Sequence, residues 1–388
     1  MTRRPKIVLG VTVDISLTLM RGLPAFLASE GWEVHVVTSP GPHLEGLVGI
    51  SGVVAHAIPM KRNPSPLRDI VSLFSWISLL RNIRPDVISV GTPKAGLLGG
   101  IAGWLTGVPK RVYHLRGLRL ETAGGVQLAI LAAMEKLTAR VATHVLSVSH
   151  SLRDRVVEGG LVPADKIVVL GSGSSNGVQL EDFDQAAFTV GDIEALRDQL
   201  GVLPDLPVIG FVGRLTEDKG LSVLAQAREI LEKDGVDYQM LVVGGFDGPE
   251  GEDQLAAVNA HGRPALVSGY VSRPAIYYRL MDIFCLPTLR EGYPNVVLEA
   301  SASSLPTVTT NATGAFDSTI DGLTGLIASA GDATMLALAL RSLIERPELR
   351  VEMGRNALAR VSTEFSREQV WQLLKDYYAV EALRAARP

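Results

Sequence analysis

The chain has 388 residues, 47% hydrophobic and 20% charged, a composition typical of a soluble globular protein with room for two domains. Its one cysteine, Cys285, lies in an apolar run, so a disulfide framework is excluded and a cytoplasmic protein is predicted. The first apolar run, residues 7–11, is too short for the core of a signal peptide, and no cleavage site follows it. No stretch approaches the roughly 20 apolar residues of a membrane-spanning helix.

The net charge of −4 is unevenly divided along the chain. Residues 1–180 contain 19 Lys and Arg and 11 Asp and Glu, giving +8, whereas residues 181–388 contain 18 and 30, giving −12. Chance drift of surface charge is one explanation, but an anionic partner of the first half is favoured. No recognition helix, zinc spacing or RNA-binding signature is present, so an anionic membrane surface or lipid-linked substrate is preferred to nucleic acid.

Attachment to such a surface is predicted to be peripheral, sensitive to salt and made by basic residues of the first half. The candidate contacts are Arg3, Arg4, Lys61, Arg62 and Arg68. An apolar run lies near the last of these and contains Leu73, Phe74, Trp76 and Ile77. Those apolar side chains either join the contact surface or form the core side of an amphipathic helix, and for Phe74, Trp76 and Ile77 the core interpretation is at least as well supported.

Continuous apolar runs alternate with helical patterns through the first half of the chain. The predicted strands are residues 7–13, 33–39, 53–59, 87–92, 111–115, 145–149 and 166–170. The predicted helices are residues 17–29, 67–82, 95–105, 126–142 and 152–158. This alternation predicts a parallel sheet with helices on both faces and with ligands above the carboxyl ends of the strands.

Polar residues follow three of these strands. After the first strand come Asp14 and Ser16, for which helix capping and acceptor binding are about equally supported. Lys94 follows the fourth strand and is expected to be a solvated surface residue. His114 and Arg116 follow the fifth. A lone histidine between apolar neighbours is more often packed than catalytic, whereas Arg116, in a loop above the sheet, could face an anionic acceptor.

The alternation breaks at residues 171–178, which are rich in glycine and serine. Such a run is typical of a flexible linker or of a structured crossover between domains. The charge changes sign near the same point, so the domain boundary is predicted near residue 180.

The second half restarts the alternation, with a helix through about residue 233 and predicted strands at residues 208–215, 238–245, 265–271, 283–288, 306–310 and 325–328. Arg214 and Lys219 lie five positions apart at the end of the first of these strands, where a guanidinium and an ammonium would suit phosphate oxygens. Ordinary surface charge on a solvated turn is the alternative. Another strand of this layer ends at Val271, where backbone groups could pair with a nucleobase.

The most informative stretch is residues 290–300, which joins an apolar strand to a helix of small residues. Glu291 lies at the end of the strand and Glu299 lies eight positions later, inside the helix. Pro294 suits the first helical turn because its missing N–H would be unpaired there. The free N–H groups of that helix predict an anion site, good for a phosphate. The alternative is that Glu291 caps the helix and Glu299 is solvated.

The string from Glu291 to Glu299 resembles the E-x7-E signature of the retaining family 4 glycosyltransferases, which have the two-domain GT-B fold. Residues 212–220 are similar to that family's V-G-R-L…K-G segment, and residues 113–121 to a strand-end motif of several members. Residues 173–178 are similar to the run that ends the family's first domain. The loop after the first strand departs from the pattern, because residues 13–15 replace a glycine pair.

The resemblance implies an α/β protein with two Rossmann-like, doubly wound domains facing across a cleft. It implies an acceptor-binding domain at residues 1–180, a donor-binding domain at residues 181–365, and a C-terminal helix at residues 366–388 that crosses back to the first domain. The expected location is cytoplasmic, peripheral on the inner face of the plasma membrane.

The implied activity is retaining transfer of a hexose from a nucleotide sugar, expected to be a UDP-sugar, to a lipid-linked or saccharide acceptor in bacterial capsule or exopolysaccharide synthesis. By resemblance Glu291 contacts the donor sugar, Glu299 contacts the ribose, and Arg214 and Lys219 bind the diphosphate. Glu291, Arg214 and Lys219 are therefore the predicted catalytic residues. The family generally works without a metal, so no metal cofactor is expected.

The predicted donor-binding residues are Gly213, Arg214, Lys219, Val271, Glu291, Gly292, Tyr293, Pro294, Asn295, Val296 and Glu299. The acceptor-side candidates are Asp14, Ser16, His114 and Arg116. Two other classes remain as alternatives. A nucleotide-sugar epimerase or hydrolase on the same fold would turn over donor without an acceptor. A two-lobed solute-binding protein would need an export signal and would leave the predicted catalytic residues unexplained.

Overall fold

A computed structural model of the chain describes residues 3–63, 65–246 and 250–385. These residues form two compact units. Unit 1 comprises Met1–Asn176 and Glu368–Pro388, and unit 2 comprises Gly177–Arg367. The first boundary lies four residues before the predicted one because Val178 already pairs with unit 2: its N–H donates to Phe365 O at 2.9 Å, and its carbonyl accepts from Arg367 N at 3.0 Å.

Unit 1 is built on a seven-stranded sheet in which every pairing is parallel. Its order is β3-β2-β1-β4-β5-β6-β7. The strands are β1 Lys6–Gly10, β2 Glu33–Thr38, β3 Val53–Ala57, β4 Val87–Gly91, β5 Lys110–Leu115, β6 His144–Ser147 and β7 Ile167–Val169. The central strands β1 and β4 are mostly apolar because helices cover both faces of the sheet.

The helices of unit 1 follow the strands in alternation, as predicted. They are α1 Leu23–Ser29, α2 Pro42–Glu45, α3 Pro66–Ile83, α4 Pro93–Leu105, α5 Gly125–Val141 and α6 His150–Glu158. The single helix expected at residues 17–29 is divided, because Gly22 adopts φ +84° between a 3₁₀ helix at Asp14–Met20 and α1. Each helix begins above the carboxyl end of the strand before it, so the helix starts share one edge of the sheet.

Helix α3 settles the two interpretations of the apolar run at residues 73–77. Trp76 is fully buried and packs with Leu80 in the core between α3, α4 and the sheet, so it is not a membrane contact. Phe74 is 66% exposed on the other side of the helix. The run therefore serves both a core and a surface.

Unit 2 is built on a six-stranded, all-parallel sheet of order β10-β9-β8-β11-β12-β13. Its strands are β8 Val208–Val212, β9 Gln239–Val243, β10 Leu266–Gly269, β11 Ile283–Leu286, β12 Thr307–Thr310 and β13 Gly325–Ala328. Its helices are α7 Val190–Leu200, α8 Leu221–Lys233, α9 Glu250–Asn259, α10 Ala275–Tyr278, α11 Asn295–Ala302, α12 Ala333–Ile344 and α13 Pro347–Glu364.

The last helix, α14 Arg367–Ala385, belongs to unit 1 apart from its first residue. It packs on the α1 face of the unit 1 sheet, where Leu374 and Tyr378 are buried. The Tyr378 hydroxyl lies 3.0 Å from Ser89 Oγ, and Trp371 Nε1 donates to Asn176 Oδ1 at 2.8 Å. The chain thus begins and ends in the same unit.

Candidate active site

Two predicted catalytic side chains meet at the carboxyl edge of the unit 2 sheet. Lys219 ends a 3₁₀ turn after β8, and Glu291 lies in the loop after β11, the strand that pairs with β8. Lys219 Nζ donates to Glu291 Oε1. The two side chains are only 15% and 13% exposed, so water screens the ion pair weakly. The alternative of an ordinary solvated turn does not hold at Lys219.

The two loops that carry this pair are fastened to each other. Thr288 Oγ1 and Leu289 N both donate to Asp218 O, each at 2.9 Å. Gly220 has φ +72°, and a Cβ there would lie 1.9 Å from Pro287 O, so only glycine allows the loops to approach this closely. The contacts fix the position of Lys219 relative to Glu291.

Asp218 and Arg290 extend the pair into a cluster of charges. Arg290 Nη2 lies 3.4 Å from Asp218 Oδ2, and Thr216 Oγ1 donates to Asp218 Oδ1 at 2.6 Å. Burial acts to raise the pKa of the Asp218 carboxyl, but the Thr216 hydroxyl and the charges of Lys219, Arg290 and Arg214 lower it below its usual value. Three cations therefore lie near two carboxylates, an excess of positive charge suited to a phosphate.

Arg290 was absent from the sequence-based set of donor-binding residues. Its neighbour Glu291 drew attention because of the E-x7-E spacing, whereas a single arginine in a loop has no such pattern. Its role in the charge cluster depends on Asp218, which is 72 positions away in the sequence and adjacent only in the fold. The spatial contact of the two loops is the signal that reveals it.

The loop after β12 supports the backbone of Glu291 from the other side. Glu291 N donates to Thr313 O at 2.8 Å. Gly314 has φ +76°, and a Cβ there would lie 2.4 Å from Gly292 O and 2.5 Å from Glu291 O. The glycine loop at residues 311–315 therefore packs directly on the candidate site.

Glu299 lies in α11 and is held by a buried tyrosine. Tyr278 Oη donates to Glu299 Oε2 at 2.9 Å and lies 3.3 Å from Val296 O. Burial, and then the negative charge of Glu299, raise the pKa of Tyr278 well above its usual range, so the hydroxyl remains a donor. Glu291 does not cap α11, because the N-cap is Pro294 and it has no side-chain cap hydrogen bond. Glu299 is half-buried and bonded to Tyr278, so it is not an ordinary solvated residue.

The turn between Glu291 and α11 differs in detail from the expectation. Pro294 is the N-cap, with an extended backbone (φ −78°, ψ 100°), and Asn295 is the first helical residue. Tyr293 is buried and donates through its hydroxyl to Asp317 O at 3.3 Å, so its side chain serves the core. Asn295 Oδ1 is buried and has no hydrogen-bond partner among the residues that the structure describes.

The acceptor-side candidates lie in unit 1, at the carboxyl edge of its sheet. The Asp14 carboxylate accepts from the backbone N–H groups of His43 at 3.0 Å and Leu44 at 2.8 Å, and it lies 2.7 Å from His43 Nδ1. It thus caps α2 rather than the helix that it begins. Ser16 lies in the 3₁₀ turn Asp14–Met20, and its N–H donates to Val13 O at 2.9 Å.

The buried His114 and the half-buried Arg116 form a pair at the end of β5. Arg116 donates through Nη1 to Leu19 O at 2.9 Å, and its Nη2 lies 3.1 Å from His114 Nδ1. Burial and the adjacent Arg116 charge hold the pKa of His114 well below its usual range, so the imidazole is neutral and accepts at Nδ1. Burial lowers the pKa of Arg116 to about 10, which leaves the guanidinium charged.

Lys94 is not the solvated residue that was expected. It is 8% exposed, and its Nζ donates to Asp69 Oδ1 and Asn63 O, both at 2.7 Å. It therefore ties the start of α4 to the start of α3. The buried charge is tolerated because it is paired and hydrogen-bonded.

Comparisons with known proteins agree with this architecture. Residues 18–173 match the family described as Glycosyl transferase 4-like domain, and residues 192–360 match Glycosyl transferases group 1. The chain is 38% identical over 370 residues to the capsular polysaccharide biosynthesis glycosyltransferase CapM of Staphylococcus aureus, covering 95% of each chain.

Two further proteins are similar along most of their length. The UDP-Gal:alpha-D-GlcNAc-diphosphoundecaprenol alpha-1,3-galactosyltransferase of Escherichia coli is 26% identical over 359 residues, covering 91% of this chain and 90% of that protein. The crystal structure of HepE from Anabaena in complex with UDP and glucose has a TM-score of 0.77 at 19% identity, covering 96% of this chain and 99% of that one.

The fold and the matched families define a GT-B glycosyltransferase. At the level of family, the chain belongs to the family 4 glycosyltransferases, as the E-x7-E stretch and the V-G-R-L…K-G segment predicted.

Proposed function

We propose that this protein is a retaining glycosyltransferase that moves a hexose from a UDP-sugar to a lipid-linked saccharide during synthesis of a capsular polysaccharide. The observation that carries the proposal is the Lys219–Glu291 pair in its cluster of cations at the unit 2 sheet edge. The names of CapM and of the Escherichia coli galactosyltransferase, and the UDP and glucose bound to HepE, support the pathway, the acceptor class and the donor class.

In the proposed reaction the bond between the anomeric carbon and the diphosphate oxygen breaks, and its electron pair leaves with the diphosphate. Arg214, Lys219 and Arg290 stabilise that charge as it develops, an electrostatic term that acts mainly in the transition state. The acceptor hydroxyl attacks the oxocarbenium-like carbon from the face that the diphosphate leaves, and its proton passes to a departing phosphate oxygen.

Glu291 orients the donor sugar by accepting hydrogen bonds from its hydroxyl groups. An ammonium group has three N–H donors, so Lys219 can retain Glu291 while it contacts a phosphate oxygen. Glu299 accepts hydrogen bonds from the ribose hydroxyls, and Tyr278 holds it in position. The backbone N–H groups at the start of α11 and the buried Asn295 amide lie at the same edge and complete the proposed nucleotide site.

On the acceptor side we propose that Asp14, Ser16, His114 and Arg116 contact the saccharide. The burial of His114 and the hydrogen bonds of Arg116 to Leu19 O and His114 suit positioning of the loop after β5 better than proton transfer. We further propose peripheral attachment of unit 1 to the cytoplasmic face of an anionic membrane. No helix within the described ranges is both long and apolar enough to cross a membrane.

Transfer is proposed to proceed without a metal ion, because the cations of the site can balance the leaving diphosphate. The test is a panel of nucleotide sugars with released nucleotide as the readout, with and without a diphosphate-lipid-linked acceptor, and with and without a chelator. The proposal is supported if nucleotide release requires the acceptor and continues in the presence of the chelator. An α-linked donor should also give an α-linked product. Donor turnover that ignores the acceptor would instead favour an epimerase or hydrolase.

A further inference from the structure

Helix α3 presents an apolar stripe to solvent at the carboxyl edge of unit 1. Leu67, Ile70, Val71 and Phe74, here called the α3 face, are 82%, 52%, 66% and 66% exposed. Their spacing places all four on one side of the helix, opposite the buried Trp76. A stripe of this kind is more than the isolated apolar side chains that any surface carries, and it indicates a binding surface.

A basic cluster, Lys61, Arg62 and Arg68, borders this stripe. None of the three side chains forms an ion pair with any residue in the described parts of the chain. Asp69 is the carboxylate nearest in sequence, and it is already paired with Lys94 at 2.7 Å. The positive charge of the cluster is therefore available to an external partner.

A groove of about 590 Å³ lies between the α3 face and the loop after β3. Its walls include Pro40, Pro59, Met60, Leu67 and Val71, and Lys61 and Arg68 are also part of its lining. Apolar walls combined with cationic side chains suit an amphiphile that has a hydrocarbon chain and an anionic head.

The first turns of α5 supply a second exposed apolar element. Every residue from 124 to 130 is exposed, and no charged residue occurs from 122 to 134. Val126 and Ile130 are 77% and 55% exposed, and Leu128 is 38% exposed. Leu128 lies about 200° around the helix from Val126. These three residues, here called the α5 tip, are apolar on more than one side, as in a helix that is immersed in an apolar medium.

The α3 face and the α5 tip belong to one layer of the unit. Both α3 and α5 pack against α4. Because each helix follows a parallel strand, the starts of α3 and α5 lie at the same edge of the sheet, together with Asp14 and Arg116. The exposed apolar residues are therefore concentrated at the edge that carries the acceptor-side candidates.

We infer that the α3 face, the basic cluster and the α5 tip form a surface that docks on an anionic lipid bilayer. The apolar side chains enter the boundary between headgroups and acyl chains, and the three basic side chains bind lipid phosphates. A bilayer offers apolar depth and negative charge together, which is the combination that this surface presents. The inference rests on the proposed function only in that a lipid-linked acceptor would be presented at the same membrane.

The structure also changes the expected set of contacts. Arg3 pairs with Asp86 at 3.1 Å, and Arg3 and Arg4 precede β1, so they lie at the amino edge of the sheet. A five-residue strand separates the two edges by about 16 Å. Arg3 and Arg4 are therefore excluded from the docking surface, and binding should include an apolar component that salt does not remove.

The test is flotation of the full chain with vesicles of phosphatidylglycerol and phosphatidylethanolamine, compared with pure phosphatidylcholine, at low and high salt. The Val71→Ser/Phe74→Ser variant should lower partitioning by about tenfold or more and abolish the salt-resistant part. The Arg62→Glu/Arg68→Glu variant should lower binding to anionic vesicles by a similar factor and leave the weak binding to neutral vesicles unchanged. Val126→Ser/Ile130→Ser should weaken binding at both salt concentrations.

Matched controls come from the other end of the same helix layer. Trp104, which is 57% exposed at the end of α4, and Arg81, in the last turn of α3, lie toward the amino edge. Trp104→Ser and Arg81→Glu should bind vesicles like the parent. Urea unfolding verifies that each variant is folded, and Phe74→Trp, which keeps the apolar area, should retain binding.

Binding that is indifferent to the apolar variant would overturn the inference, as would equal losses in the controls. A dimer that Val71→Ser/Phe74→Ser converts to a monomer would assign the surface to a second copy of the chain instead. Transfer to a water-soluble acceptor in detergent separates this inference from the proposed function. If the parent protein transfers no sugar in that assay, the proposed function is refuted, and the vesicle result still stands.

Discussion

Replacing Lys219 by methionine removes the ammonium group while keeping most of the length of the side chain. In the free protein the change leaves the Glu291 carboxylate, only 13% exposed, without its cation. Exposed ion pairs contribute about 0–1 kcal/mol, whereas breaking a fully buried pair costs about 3–5 kcal/mol. At 15% and 13% exposure the pair lies between these cases, so the free energy of unfolding should fall by about 1–3 kcal/mol.

The same substitution should weaken nucleotide binding for a separate reason. A hydrogen bond to a charged group is worth about 1.5–3 kcal/mol, so the dissociation constant for UDP should rise about 10- to 150-fold. Glu291→Gln provides the contrast. It should leave UDP affinity unchanged or make it tighter, because Lys219 loses a competing carboxylate, while turnover of the UDP-sugar falls.

Calorimetry with UDP and urea unfolding, applied to both single variants and to the double variant, measure the two effects. The matched control is Lys233→Met, since Lys233 is 70% exposed and pairs with Glu229 on the surface of α8. The control should change UDP affinity less than twofold. If Lys219→Met binds UDP as the parent does, or if the double variant shows no coupling between residues 219 and 291, the assignment of this pair to the donor site is wrong.

Three further predictions follow from the same structure. Glu299→Gln should weaken binding of UDP and UDP-sugar equally, whereas Glu291→Gln should weaken binding of the sugar conjugate alone; calorimetry with the two ligands separates them. Tyr278→Phe removes the hydroxyl that holds Glu299, so UDP affinity should fall about 5- to 20-fold while kcat at saturating acceptor changes little. Titration of the double variant Tyr278→Phe/Glu299→Gln with UDP should show no additional loss of affinity. Burial raises the pKa of the Glu135 carboxyl from 4.5 to about 7, so stability is greatest below pH 4.5 for this group and is lost as the pH rises to 7; Glu135→Gln should flatten that part of the urea-unfolding pH profile.

The arrangement of both sheets could be predicted from the sequence because it depends on local patterns. Strands such as β8 and β11 are short, continuous apolar runs, and parallel order follows from their alternation with helices. Glu291 and Lys219 could be placed at one sheet edge by the same reasoning, since each follows a strand. The motif added their expected roles.

Contacts between distant segments were not predictable in this way. The capping of α2 by Asp14 and the ion pair of Lys94 with Asp69 join residues 25 to 30 positions apart. Neither spacing has a periodic signal, and each partner alone has the composition of a surface residue. The division of the long predicted helix at Gly22 similarly depends on a backbone conformation that many glycines do not adopt.

The exposed stripe of helix α3 depends on the fold and not on sequence periodicity alone. Its sequence contains enough apolar residues for two stripes, and a periodicity of 3.6 fits either one as the core side. Packing of Trp76 and Leu80 against α4 and the sheet decides which stripe is buried, and by exclusion it leaves Leu67, Ile70, Val71 and Phe74 in solvent. The charge of the first half indicated a partner, but only the fold shows that the basic cluster adjoins the exposed stripe while Arg3 lies at the opposite edge. Net charge alone would give attachment that salt removes completely, whereas this surface, with its exposed apolar side chains, should leave a part of the binding that salt does not remove.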